Sequence, residues 1–108
     1  MATVTLDMTK IGDWESFHAQ SAKTFGFPAF YGNNLNAWID CLTYLPSGDG
    51  MSGITLGSNE LLTIVVPNYQ AFAAKQPEIC LALGECVAAV NQRYIAAGDI
   101  ARLALAPQ

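Results

Sequence analysis

Few residues in this chain are equipped for covalent chemistry. His18 is the only histidine, and the cysteines are Cys41, Cys80 and Cys86. A nucleophile needs a base within hydrogen-bond reach. His18 lies on a helix-patterned stretch, at the edge of the apolar stripe set by Trp14 and Phe25, which reads as a structural histidine. The cysteines fall inside apolar helical patterns without a Cys-x-x-Cys pair, as buried reduced thiols do and metal ligands do not. Glu78 and Glu85 share a helix face, but two helical turns separate their backbones by roughly 10 Å, far for a shared-proton pair. No metal site, no cofactor and no catalytic set is expected.

The carboxylate of interest is Asp40. At roughly 100° per residue, Leu35, Trp38, Leu42 and Leu45 fall on one side of a helix, with Cys41 at its margin. Asn36, Asp40 and Thr43 fall opposite, and Ile39 lies between the two faces. On pattern alone this is the solvent side of an ordinary amphipathic helix. Ile39 and the nearby Phe30 turn the reading toward an interface, where apolar anchors sit beside a few polar groups.

The elements that must position these residues follow from local signals. Thr3-Val4-Thr5-Leu6 alternates as a first strand. Asp13 is placed to cap a helix whose inward face is Trp14, Phe17, Ser21 and Phe25, closed by Gly26. An aromatic loop, Phe27 to Tyr31, enters extended because of Pro28. Asn33 or Asn34 caps the second helix, which runs to about Leu45 and stops at Pro46. Residues 47–53 have the composition of a flexible loop, without the ligands of a calcium loop or the lysine of a phosphate loop. Ile54 to Leu56 touches a sheet edge. Leu61 to Val66 is continuously apolar, the signature of a strand covered on both faces. Tyr69 to Lys75 forms a short helix. Pro77 opens a long one to Ala97, with Ile79, Leu83, Cys86, Val87, Val90 and Tyr94 facing inward. Ile100 to Leu105 is a last strand. Each return between strands carries a helix, so the class is α/β with a small parallel sheet, one unit over residues 1–108.

Composition narrows the partners. Only 13% of the 108 residues are charged, so much of each element must face inward. The net charge of −4 argues against nucleic acid or an anionic membrane, whose phosphates call for Lys and Arg, and suits a basic partner. Neither a signal peptide nor a membrane span is expected, and the odd cysteine count fits a cytoplasmic protein.

From Phe17-His18 through Thr43 the chain resembles the barstar family, intracellular inhibitors of the ribonuclease barnase, without a gap. The residues that carry the resemblance are His18, Phe27-Pro28, then Tyr31-Gly32-x-Asn34-Leu35-x-Ala37-x-x-Asp40-Cys41-Leu42-Thr43. Outside this run the match is looser but keeps the element order. The resemblance implies a three-stranded parallel sheet packed with helices. It also implies that the second helix and the loop before it plug a ribonuclease active site, with Asp40 where the RNA phosphate would bind. Tyr31, Gly32 and Asn34 match the loop that shapes the approach. The expected partner-binding set is therefore Phe30, Tyr31, Gly32, Asn34, Asn36, Ile39, Asp40 and Thr43. The partner is a secreted or toxin ribonuclease, met as a basic protein by a monomer in a one-to-one complex.

The chain departs from that pattern. Asn36 stands where the family carries a second acid, Ile39 where it carries an exposed tryptophan, and Phe30 where it carries a tyrosine. The position of a long-helix acid that helps at the family's interface falls at Gln92 or Arg93 here, and the loop over 46–60 is longer. Two other readings stay open: an immunity protein against a toxin of other chemistry, and a small enzyme using His18 with Cys41 or a carboxylate.

Overall fold

Three short runs become the strands β1 (Ala2–Thr5), β2 (Leu62–Val66) and β3 (Leu103–Pro107), in a computed structural model. Residues 2–47 and 50–108 are described. Met1 and residues 48–49, the latter within the loop expected over 47–53, lie outside the described residues. The strand order is β1-β2-β3, parallel throughout, with Val4 opposite Ile64 and Ile64 opposite Leu105. Helices α1 (Trp14–Phe25) and α2 (Leu35–Leu42) lie on the first return, and α3 (Tyr69–Lys75) and α4 (Pro77–Ala96) on the second. A 3-10 turn, Met8–Lys10, which the periodicity does not show, follows β1.

The sheet is two-sided in composition. Leu62, Ile64 and Val66 of β2 are fully buried, whereas Thr63 and Val65 are only half-buried and Thr3 and Thr5 are exposed. This corrects the expectation that the apolar run is covered on both faces: the strand alternates, and β-branched residues tolerate the half-open face. The covered face meets Phe17 and Phe25 of α1, Trp38 and Leu42 of α2, and Leu83 and Val90 of α4, in one core cluster.

Local chemistry sets the helix ends. Asp13 accepts from the Ser16 amide (2.8 Å), and the Ser16 hydroxyl takes the Asp13 amide in return, a capping box. Trp14 departs from the expected inward face. It is partly exposed and lies edge-on to Phe17 and stacked on His18, shielding both from outside. Gly26 closes α1 in the left-handed region (φ 67°), and a Cβ there would come within 2.9 Å of the Gly53 backbone. Only glycine fits both demands.

That close approach docks the long loop. The Gly53 amide (3.0 Å) and the Ser52 hydroxyl (2.6 Å) both donate to the Phe25 carbonyl. The Leu56 amide donates to the Leu45 carbonyl rather than to a sheet edge, which corrects the expectation for Ile54 to Leu56. At the loop's far end the buried Arg102 donates to the Gly57 and Glu60 carbonyls and pairs with Asp99. The same cluster delays β3: Asn91 of α4 accepts from the Arg102 and Leu103 amides, so pairing starts at Leu103 rather than Ile100.

Candidate functional site

The surface of interest is assembled from the loop over 27–34, the outer side of α2 and the adjoining side of α4. In the loop the aromatic residues divide. Phe27 stacks on Phe25 and lies against Tyr31, whereas Phe30 is 76% exposed. Tyr31, expected in the partner-binding set, is buried rather than presented. Its hydroxyl lies 2.7 Å from His18 Nδ1. Burial raises the Tyr31 pKa, with the nearby Cys41 and Cys86 adding to it, and burial lowers that of His18. Both effects favour a neutral pair, joined by one hydrogen bond whose direction follows the histidine tautomer. His18 therefore braces the loop from α1, as a structural histidine does.

The start of α2 resolves the choice between Asn33 and Asn34. Asn34 accepts from the Ala37 amide (2.8 Å) and donates to the Gly32 carbonyl (3.2 Å). A Cβ on Gly32 would meet the Asn34 amide nitrogen at 3.1 Å, so the glycine leaves room for the cap. Asn33 instead takes a left-handed conformation (φ 53°) that turns the chain into the helix.

The helix ends at Leu42, three residues short of the expected Leu45. The Thr43 hydroxyl donates to the Ile39 carbonyl, and the Thr43 amide to the Asp40 carbonyl. Tyr94 of α4 completes the termination: its hydroxyl donates to the Leu42 carbonyl and accepts from the Leu45 amide. Cys41 joins the core outright.

Of the expected set, Asn36 and Asp40 are exposed, Ile39 and Thr43 half-buried, and Gly32 and Asn34 exposed at the helix start. The Asp40 carboxylate occupies the last turn of α2, where the helix dipole already presents partial negative charge and where α2 carries no basic residue. This spot attracts cations. Arg93 of α4 answers it from outside the helix, pairing with Asp40 at 2.5 Å, both side chains about half-exposed.

Residues of α4 extend the surface beyond the Gln92 or Arg93 position expected from the resemblance. Glu85, Ala89 and Arg93 repeat every four residues. Ala82, Glu85 and Ala89 line a shallow groove opposite Asn36 and Ile39. The four-residue spacing was visible; that this row packs beside α2 required the helix pairing. His18 and Cys41 are both buried, away from any surface where a substrate would be met.

Fold and site together define an α/β architecture, among the described residues a three-stranded parallel sheet with four helices, whose second helix holds an exposed carboxylate at its negative end. The chain belongs to the barstar family: the family described as Barstar (barnase inhibitor) matches residues 1–106. A search of curated proteins finds no match. No helix among the described residues is long and apolar enough to cross a membrane.

Proposed function

We propose that this chain inhibits a barnase-like ribonuclease by seating α2 and the preceding loop in its active site, one inhibitor to one enzyme. The observation that carries the reading is Asp40, an exposed carboxylate at the negative end of α2 in a chain of the barstar family. A ribonuclease must hold RNA phosphates with cationic groups, and an inhibitor can meet them with a carboxylate. Charge-assisted hydrogen bonds from Arg, Lys or His to Asp40 gain strength when water is excluded. The exposed Phe30 ring and the half-buried Ile39 supply apolar surface to exclude it. Asn34 and Gly32 fix the approach of the loop, and Tyr31 braces it from beneath. We place the whole of residues 1–108 in this single inhibitory unit.

The experiment is co-expression in bacteria with barnase and, separately, with the product of the reading frame beside this gene. Survival with a ribonuclease, together with inhibition of RNA hydrolysis by the purified pair, supports the reading. Protection only against a toxin that leaves RNA intact replaces it with the immunity-protein reading. Asn36 and the Arg93–Asp40 pair favour that alternative, because both dilute the negative charge of the face.

A further inference from the structure

Asp40 does not meet a partner unopposed. Its Oδ1 is taken by Arg93, while Oδ2 makes no hydrogen bond among the described residues. A partner cation docking on Oδ2 would therefore stand within a few ångströms of the Arg93 guanidinium. Arg93 is itself about half-exposed and uses only one terminal nitrogen on Asp40. Its remaining N–H donors form a planar fork suited to a carboxylate. An exposed pair of this kind adds little to the stability of the fold, so stability alone gives little reason for an arginine here. Its neighbour one turn back on the same row is Ala89, which leaves the guanidinium unscreened on that side.

We propose that Arg93 is a specificity-determining residue of the α2 face, making the contact a pair of opposite charges that selects a ribonuclease with an acidic group beside the cation that takes Asp40. The inference rests on the reading of Asp40 as the anchor. It deepens that reading by naming the partner's chemistry. A cleft whose facing rim is cationic throughout is disfavoured, since like charges brought together at an interface are costly and suppress wrong partners.

The test titrates barnase, as a ribonuclease with a phosphate-binding cleft, with the wild-type chain and with Arg93→Lys, Arg93→Gln, Arg93→Glu and Asp40→Ala, at low and high salt. Arg93→Gln is expected to tighten binding by at least about fivefold, and Arg93→Glu further, with the gain shrinking at high salt. Arg93→Lys, which keeps the charge, is expected to stay near wild type. If Asp40→Ala weakens binding while Arg93→Gln and Arg93→Glu leave it unchanged or weaker, the Arg93 inference falls and the anchor stands. If Asp40→Ala changes nothing, the anchor falls and takes this inference with it. Failure of every variant to bind barnase also overturns the inference, while co-expression with the neighbouring toxin still decides the inhibitor reading.

Discussion

The Tyr94 hydroxyl donates to the Leu42 carbonyl oxygen at 2.6 Å and accepts from the Leu45 amide at 3.1 Å, so one side chain of α4 terminates α2. Arg93, the next residue back, reaches the outer side of the same turn and pairs with Asp40. Two consecutive residues of the long helix thus meet the end of the short one: Tyr94 holds it from within the core, and Arg93 pairs with it at the surface. An eight-residue helix is marginal by itself. Its geometry at Asp40 depends on the buried hold of Tyr94.

Removing the grip from inside is expected to be costly. Tyr94→Phe leaves a buried carbonyl and a buried amide without their partner, a loss of about 1–3 kcal/mol. Urea unfolding should show a lower midpoint with an unchanged slope. A midpoint equal to wild type would mean that the hydroxyl does not hold α2.

Arg102 performs the matching role for the long loop. Its buried guanidinium ties the Gly57 and Glu60 carbonyls to Asp99 at the approach to β3. Arg102→Ala is expected to cost about 3 kcal/mol and to speed amide hydrogen exchange over 57–62. Exchange that accelerates equally across the whole chain, with no local excess, would contradict this tie.

Stability is expected to fall as the solution is acidified from about pH 7.5 to about pH 5.5, because of His18. Burial holds the folded histidine below its ordinary value of about 6.5, so the unfolded chain binds more protons in this range. Stability therefore rises with pH and is lost on the way down. His18→Gln should lower stability at pH 7.5 and flatten this part of the profile. Below about pH 4 a second loss follows. Asp13, held low by the Ser16 amide and then by its hydroxyl, protonates there and releases the cap of α1. A profile whose slope near pH 6 is the same with and without His18 would rule out the histidine as its source.

Much of this arrangement was legible in the sequence because it is local. Asp13, Gly26, Asn34 and Pro77 mark helix boundaries by their own chemistry, and Trp38, Leu42 and Leu45 declare a core face by spacing. Asp40 and Asn36 were placed on the outer side of α2 for the same reason, and both are exposed. What the sequence did not show is cross-element pairing. Tyr94 read as one more apolar position of α4, and nothing in the chain order announces that its hydroxyl meets residues 42 and 45. Arg102 read as a strand residue, yet its bonds go to residues 57, 60 and 99. Tyr31 and Phe30 are neighbours in one aromatic loop, and only the contact of Tyr31 with His18, thirteen residues earlier, shows which of the two turns inward.

Ser21 offers a test of the core itself. It is fully buried on α1, and its hydroxyl finds no hydrogen-bond partner among the described residues. Ser21→Ala removes an unsatisfied polar atom while keeping the helix, and should raise stability by about 1 kcal/mol. A decrease measured by thermal or urea unfolding would show that the hydroxyl has a partner after all.

The most direct test is the inhibition constant of Asp40→Ala against a ribonuclease that the wild-type chain is found to inhibit. Asp40 is exposed and its pairing with Arg93 lies at the surface, so the unfolding midpoint should stay close to wild type. The inhibition constant should rise by about 30-fold or more, the roughly 2 kcal/mol expected of an interface anchor. A rise smaller than about fivefold, roughly 1 kcal/mol, in a normally folded variant would contradict the claim that Asp40 anchors the inhibitor.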